Sequence, residues 1–581
     1  MKKHIIKELA KNRWNIYLLL TLCLFLSITY LQSELQVAYD KTPEVQLWRI
    51  IDSLLLASPI LFFKRKIILF TWLLLICFYL LSIIWYYRTY ATIMPLTSYL
   101  LFQNLKGLSS SIMYSIHATD IFIVLPILLF SGIYIFISRF PFKRIAYYKL
   151  LILYGIITII IISPYLQTTK EIPARPIHLY TTLCSRAFKE YSIIHFWIYQ
   201  LGLNNRPVTP KDIQYINAYL KKVQKDRYDT YNNSTSAQHK NLVIILVESL
   251  QTWPIGLKTG KYDIAPNMDS LTKLPQTIYI PQVLSQVKDG RSSDAQLLIN
   301  TGLLPLNSGA ASNLCTENNF YSLPKALRKK GFHSYTFINE EKEFWNQKRM
   351  SAAYGFDDIY DRLWDGIQKK ADSLLFKKSL ARLKEISQPF YAQIVTLSMH
   401  FPYNEVHDPD SPLLNFPFAN EEVRNYLIAV NLFDKRLAHF LQELKKAGLY
   451  DNSIIVITGD HEQMTYNQYD GRQELKASDC FVPLIILNSP LPCKHQDKVI
   501  GQVDIYPSLL CLMGCNNYEF NGLGENIFGD SISNYATFRT GIAAGGIHVP
   551  ESVKKRRNEL WHISDILLRM DYFAHTQNKV Q

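Results

Sequence analysis

The chain has few cysteines and no motif built from them. Its 581 residues include eight cysteines and no CxxC pair, so the sequence offers neither a zinc knuckle nor a dithiol redox site. Cys23 and Cys77 lie in long apolar runs, whereas the other six lie elsewhere, where an oxidising compartment could pair some of them. Cys511 and Cys515 are four positions apart, a spacing that does not by itself give bridge geometry.

A nucleic-acid signature is also absent, despite a net charge of +14. The sequence has no basic stripe interleaved with stacking aromatic residues and no nucleic-acid-binding motif, so we expect no nucleic-acid partner. Part of the positive charge lies in short basic segments between apolar runs. The remainder suits a protein that works beside anionic lipid headgroups.

No small-residue cleavage site follows the first apolar run, so we predict a retained membrane anchor instead of a cleaved signal peptide. We predict five membrane spans, at residues 14–31, 47–63, 67–87, 120–137 and 145–165. The second of these carries two charged residues, Arg49 and Asp52, near its start.

The charges that flank these spans predict their orientation. Lysines and arginines precede the first span and fill the loops at residues 64–66 and 139–144, whereas the loop at 32–46 is acidic. Five spans with a cytoplasmic N-terminus place all the basic segments on one side and everything after residue 165 outside the cytoplasm. The alternative of four spans would leave a basic loop on the wrong side.

The distribution of apolar and polar residues predicts four consecutive regions. The first is a membrane bundle of five helices, and the second is a polar, mostly helical linker outside the cytoplasm. The third is an α/β catalytic domain with a central, mostly parallel sheet, and the fourth is a C-terminal extension that packs on it. Their predicted boundaries are 1–166, 167–240, 241–530 and 531–581.

Three apolar runs in the second half end in side chains that could bind a metal. Residues 241–247 lead into Glu248, residues 453–458 lead through a glycine into Asp460 and His461, and residues 390–397 precede His400. Each run has the length and β-branched content of a buried strand, and ligands bind at the carboxyl ends of strands in open α/β sheets. This pattern predicts a divalent-metal site for anionic chemistry, although a helix cap, an ion pair and a loop histidine are the structural alternatives.

The turn Gly290-Arg291-Ser292-Ser293-Asp294 offers a nucleophile. An apolar helical run follows it, so Ser292 would lie at a helix N-terminus, where backbone N–H groups favour an anion. Arg291 adds positive charge and is a candidate substrate-binding residue. Ser292 is therefore placed to attack phosphorus, and the alternative is that Ser292 or Ser293 only caps the helix.

The order of these motifs resembles that of the lipoteichoic acid synthase and phosphoglycerol transferase group of the alkaline phosphatase and sulfatase superfamily. The shared order is Val-Glu-Ser, Gly-Arg-Ser-Ser-Asp, Phe-Trp-Asn, Met-His-Phe-Pro and Thr-Gly-Asp-His. Segments 265–271 and 503–510 resemble stretches common in that superfamily. The resemblance covers nearly the whole chain and implies a sulfatase-like fold for the α/β domain.

The resemblance also implies a set of roles. Glu248, Asp460 and His461 would hold one divalent metal ion, with manganese favoured and Mg²⁺ and Zn²⁺ as alternatives. The oxygen of Ser292 would be the fourth ligand and the nucleophile. His400 would contact the substrate and pass a proton to the leaving group.

Further positions of the resemblance imply a headgroup pocket. Trp345 would line it, and Glu340 falls near an acidic pocket position. The family pattern has an arginine where this chain has Gln347, so Lys348 or Arg349 would take over contact with the headgroup phosphate.

The expected activity is transfer of a phosphoglycerol-type headgroup from a membrane phospholipid to a glycan or glycolipid acceptor, through a covalent Ser292 intermediate, at a bacterial cell (inner) membrane. One alternative is a phosphoethanolamine transferase, but residues 462–467 lack the histidine that this class usually shows after Asp-His. Another is a sulfatase, but the turn at Ser292 lacks the Cys/Ser-x-Pro-x-Arg context. With water as acceptor, the same chemistry would make the protein a hydrolase.

Overall fold

The computed structural model describes residues 12–35, 43–62, 65–90, 93–100, 109–137, 147–167, 193–194, 196–197, 200, 209–228, 240–364, 370–403, 411–415, 420–463, 476–539 and 541–577. The chain forms two compact units. One comprises Met1–Leu100 and Gly107–Arg206, and the other comprises Leu101–Lys106 and Pro207–Gln581.

The described part of the first unit is helical. Its helices are α1 Arg13–Glu34, α2 Pro43–Ala57, α3 Pro59–Phe62, α4 Lys66–Tyr90, α5 Ser109–Ser115, α6 Ile121–Ile137 and α7 Tyr147–Gln167. Among the described residues, three helices are long and apolar enough to cross a membrane, at Arg13–Glu34, Lys66–Thr89 and Ala118–Phe136. The second predicted span is divided between α2 and α3, and the count of five spans stays a prediction.

The polar residues of the second predicted span make contacts inside the first unit. Arg49 and Asp52 are both buried. Arg49 Nε donates to Gln32 Oε1, and Asp52 Oδ2 accepts from the backbone N–H of Ile193 at 2.6 Å. These hydrogen bonds explain how two charged side chains are accommodated in an apolar helix, because buried polar groups need hydrogen-bond partners.

The second unit is built on an eight-stranded sheet with the strand order β10-β4-β9-β8-β1-β7-β5-β6. All its neighbouring strands are parallel except the pairs that β9 forms with β4 and β8. Two small antiparallel hairpins are separate from it. The strands are β1 Asn241–Val247, β2 Lys258–Thr259, β3 Tyr262–Asp263, β4 Ile278–Leu284, β5 His333–Phe337, β6 Asp358–Tyr360, β7 Phe390–Val395, β8 Ser453–Gly459, β9 Phe481–Leu487, β10 Ile500–Gly501, β11 Tyr535–Thr537 and β12 Ala543–Gly545.

The apolar runs become the central strands because helices cover the sheet. Every residue of β1 and β8 is buried, as is typical of parallel strands with both faces covered. The sheet confirms the predicted α/β architecture with a central, mostly parallel sheet. The described helices of this unit are α8 Pro210–Tyr228, α9 Pro266–Leu271, α10 Ser292–Thr301, α11 Ala311–Leu314, α12 Leu323–Arg328, α13 Gln347–Tyr354, α14 Ala371–Leu383, α15 Glu421–Lys446, α16 Ile505–Leu512, α17 Glu551–Arg569 and α18 Tyr572–Gln577.

The C-terminal helix α17 contributes to the main core of the second unit. Leu560, Trp561 and Leu567 are buried in the same cluster as β1 and α10. Arg557 is also buried and forms two hydrogen bonds with the carboxylate of Asp504, at 2.8 and 2.6 Å. A bidentate pair of this kind fixes the orientation of the helix as well as its position.

In the described part of the chain, all seven cysteines are free.

Candidate active site

The strand order brings the predicted ligands to one edge of the sheet. Strand β1 lies between β7 and β8 and runs parallel to both, so their carboxyl ends meet. Val247 is in register with Gly459, and the N–H of Asp460 donates to the carbonyl of Val247 at 3.0 Å. Gly459 is required here, because a Cβ at this position would lie 2.0 Å from the carbonyl oxygen of Leu250.

Glu248, Asp460 and His461 form a compact buried cluster. One ligand atom from each lies within 4.8 Å of the others. His461 Nε2 is 3.5 Å from Glu248 Oε1 and 3.6 Å from Asp460 Oδ2. The three residues are at most 3% exposed, so water cannot stabilise their charges.

Hydrogen bonds turn one atom of each of two of these ligands toward the centre of the cluster. Asp460 Oδ1 accepts from the N–H groups of Ser249, at 2.8 Å, and of His461, at 2.7 Å. His461 Nδ1 lies 2.7 Å from the carbonyl oxygen of Glu462, which can only accept. In the neutral imidazole Nδ1 therefore carries the proton and Nε2 keeps a lone pair. Asp460 Oδ2 and His461 Nε2 are buried without a hydrogen-bond partner.

These orphaned acceptor atoms fit a divalent cation. Burial raises the pKa of Glu248, and the negative charge of Asp460 raises it further, so without a cation the neighbouring carboxylate disfavours the ionised form of Glu248. The set of two carboxylates and one imidazole suits Mn²⁺, Mg²⁺ or Zn²⁺. A divalent ion held there would polarise a phosphoryl oxygen and lower the pKa of a bound hydroxyl.

Ser292 faces this cluster instead of capping its helix. The cap position of α10 is Arg291, without a side-chain cap bond, and Ser292 Oγ lies 3.3 Å from Glu248 Oε2. The turn is held by Asp294 Oδ2, which accepts from the N–H groups of Lys288 and Gly290, both at 2.9 Å. A Cβ at Gly290 would lie 2.3 Å from Asp294 Oδ1, so the close approach requires glycine.

Arg291 forms a buried ion pair with Glu462, a residue outside the predicted site. Glu462 Oε1 lies 2.9 Å from Arg291 Nη1 and 2.6 Å from Arg539 Nη2, and Glu462 Oε2 accepts from Ser285 Oγ at 2.8 Å. Burial alone would raise the pKa of Glu462, but the two arginines outweigh it and lower the pKa to about 2. Glu462 adjoins the predicted ligand His461 in the sequence, which was a usable signal, whereas no local pattern indicates Arg539.

His400 and Glu340 lie close enough to interact electrostatically. His400 is half-buried, and its Nδ1 is 2.7 Å from the carbonyl oxygen of Phe401. Burial raises the pKa of Glu340, and the neighbouring His400 imidazole opposes that effect. The charge of Glu340 also contributes to the raised pKa of Glu248, which places Glu340 within electrostatic range of the metal cluster.

The other predicted pocket residues lie in and near a strained turn. Trp345 is half-buried, with a φ of 49°, a left-handed conformation that non-glycine residues adopt only when the surroundings impose it. Its ring meets Phe344 edge-on, at a centroid distance of 6.3 Å. Arg349 is exposed and lies 3.8 Å from the exposed carboxylate of Glu317. The structure therefore brings together the four residues of the metal and nucleophile set and places Arg349 on the surface.

Fold and site together define a sulfatase-like domain with a buried Glu-Asp-His group that could hold a metal ion. Residues 240–515 match the family model of the sulfatases, and residues 1–204 match that of the lipoteichoic acid synthase N-terminal domain. With this pair of matches, the chain is a lipoteichoic acid synthase-like protein of the alkaline phosphatase superfamily.

Known relatives agree with this assignment. Lipoteichoic acid synthase 2 of Bacillus subtilis (strain 168) is 30% identical over 350 residues, which cover 57% of this chain and 53% of the relative. Lipoteichoic acid synthase of Staphylococcus aureus (strain USA300) is 28% identical over 323 residues, 52% of this chain and 50% of the relative. The chain thus spans about half the length of these curated relatives. The crystal structure of the lipoteichoic acid synthase LtaP from Listeria monocytogenes is similar with a TM-score of 0.50 and 25% identity, covering 60% of this chain and 98% of that one.

Proposed function

We propose that this protein is a membrane-anchored, metal-dependent phosphotransferase. It moves a phosphoglycerol-type headgroup from a membrane phospholipid to a glycan or glycolipid acceptor. The observation that carries the proposal is the serine hydroxyl of Ser292, 3.3 Å from Glu248 at the rim of a buried cluster with unsatisfied ligand atoms. A nucleophile beside such a cluster is what displacement at phosphorus requires.

The proposed reaction is a double displacement. Ser292 Oγ gives up its proton to water and forms a bond to the donor phosphorus, while the bond from phosphorus to the diacylglycerol oxygen breaks. His400 supplies a proton to that leaving oxygen. An acceptor hydroxyl then attacks the same phosphorus and passes its proton to His400, while the bond from phosphorus to Ser292 Oγ breaks and that oxygen regains a proton from water. Water in the second step would make the protein a hydrolase.

The buried Glu-Asp-His group supports the binding of one divalent ion, and we propose Mn²⁺ as that metal. Glu248, Asp460 and His461 would hold it, together with the oxygen of Ser292. Trp345 and Glu340 would line the headgroup pocket, with Arg349 near the headgroup phosphate. Arg291 would add positive charge from the turn, although its guanidinium is shared with Glu462.

We further propose that the anchor has five spans with a cytoplasmic N-terminus in the bacterial cell membrane, so that the catalytic domain is extracytoplasmic. The basic loops of the sequence support this orientation. The predicted divisions at 166, 240 and 530 belong to the same proposal. Partners would be the phospholipid donor and the glycan or glycolipid acceptor, and no nucleic acid.

The test is the intact mass of the full chain in detergent with Mn²⁺ and either phosphatidylglycerol or phosphatidylethanolamine. The acceptor is left out so that the adduct can accumulate, and the variant His400→Ala would slow turnover. We expect a phosphoglycerol adduct on Ser292 and none after Ser292→Ala. A phosphoethanolamine adduct would assign the other donor, and full headgroup release by Ser292→Ala would refute the covalent mechanism.

A further inference from the structure

A groove of about 710 Å³ lies between α14 and α15 and is lined by apolar and basic side chains, none of which belongs to the predicted metal ligands. Leu374, Leu380 and Phe440 supply apolar lining. The ring of Phe440 stacks on that of Phe376, with centroids 4.5 Å apart and planes 13° apart. Stacked, buried rings give the groove a rigid floor, because packed aromatic pairs leave little room for rearrangement.

The basic side chains of the groove come from both helices. They are Lys377, Lys384, Lys435, Arg436 and His439. Lys377, in α14, and Lys384, the residue that caps its C-terminal end, are both exposed. They are seven positions apart, which places them on the same side of the helix, roughly 10 Å apart along its axis. Of the residues that line the groove, Glu443 is the acidic one, and its carboxylate lies 2.6 Å from Lys446 Nζ. The groove therefore keeps an excess of positive charge.

The walls of the groove are joined to the loop that carries His400. Arg436 Nη1 donates to Ser398 Oγ at 2.9 Å, and Ser398 lies two positions before His400. Asp372, at the start of α14, accepts from the N–H groups of Leu397 and Ser398, at 2.9 and 3.1 Å. One end of the groove thus adjoins the edge of the sheet where the chemistry is proposed.

We propose that this groove holds a polyanionic phosphodiester chain, the product of repeated headgroup transfer. The inference rests on the proposed function, in which each transferred phosphoglycerol group brings a new hydroxyl that can accept the next one. Such a chain alternates phosphate charges with short carbon segments, which matches basic side chains set beside an apolar floor. A concave groove also encloses a polymer chain better than it fits against a flat bilayer.

The test is the binding of a labelled, soluble glycerol phosphate polymer to the full chain in detergent, measured by fluorescence anisotropy. The double variant Lys377→Glu/Lys384→Glu is compared with Lys494→Glu/Lys555→Glu, which changes two exposed lysines outside the groove and alters the net charge equally. We expect the groove variant to bind the polymer at least roughly tenfold more weakly than the wild type, and the control variant to bind it almost unchanged. The difference between the two variants should become smaller at high salt, because salt screens the charges.

Equal binding by the two double variants would overturn the proposal. So would a groove variant that binds the polymer normally but no longer binds vesicles of anionic lipid, because the groove would then be a membrane-docking surface. In turnover, the groove variant should release diacylglycerol at the wild-type rate but make shorter chains. Absence of diacylglycerol release in the wild type would instead refute the proposed function, since polymer binding needs no turnover.

Discussion

Replacing Glu462 with glutamine should destabilise the catalytic unit, because its carboxylate bridges two buried guanidinium groups. The side chains of Arg291, Glu462 and Arg539 are between 4% and 8% exposed. Glutamine keeps the size of the side chain but leaves the arginines without a counter-charge. Removing one partner of a buried ion pair costs about 3–5 kcal/mol.

The pKa of Glu462 gives an independent magnitude. A fall from the usual value of 4.5 to about 2 corresponds to about 3 kcal/mol of stability at neutral pH. The unit from Pro207 to Gln581 should unfold with an entropy of about 0.8 kcal/mol/K, so the loss lowers Tm by about 4 °C. Tryptophan fluorescence melting of the full chain in detergent would measure it. The control Ser285→Ala removes a single hydrogen bond and should lower Tm by only about 1 °C.

The pH dependence gives the sharper test of this reasoning. A carboxyl group whose pKa is lowered by folding contributes its full stability above its unfolded pKa, and the contribution is lost as the pH falls through the folded pKa. The Tm difference between wild type and Glu462→Gln should therefore be constant from pH 7 to about 4.5 and shrink toward pH 2. A difference below 1 °C at pH 7, or one that does not change with acid, would refute the ion-pair explanation.

Three further predictions concern the metal cluster, the strand edge and the surface arginine. Glu248→Gln should weaken Mn²⁺ binding at least tenfold, measured by calorimetry, because even outer partners of a metal ligand contribute about 10–100-fold; unchanged affinity would remove Glu248 from the ligand set. Gly459→Ala should lower Tm through the clash with the carbonyl of Leu250, by the equivalent of about 1–3 kcal/mol, and a wild-type Tm would show that the strand edge can shift. Arg349→Ala should leave Tm unchanged within about 1 °C, because its pair with Glu317 is exposed and exposed pairs contribute little, but should raise KM for the phospholipid several-fold; an unchanged KM would exclude Arg349 from headgroup binding.

Local sequence determined the building blocks of this protein. Continuous runs rich in β-branched residues are typical of strands that are buried because helices cover both faces of the sheet. A polar residue just beyond such a run follows the carboxyl end of the strand and therefore lies at one edge of the sheet. Glu248, Asp460 and His461 could therefore be proposed as a set without knowledge of the strand order. The apolar runs of the first unit indicated membrane helices for the same reason, since length and composition are local properties.

Only the tertiary structure decided which of these residues meet and which atoms remain available. The order β8-β1-β7 places Ser249 and Asp460 in direct contact, although 211 positions separate them, and hydrogen bonds then select which oxygen of Asp460 faces the cluster. Arg291 looked like a substrate contact in the sequence, but Glu462 and the distant Arg539 hold it in a buried network. Such pairings depend on packing between remote segments, and the periodicity of one segment carries no information about its neighbour in space.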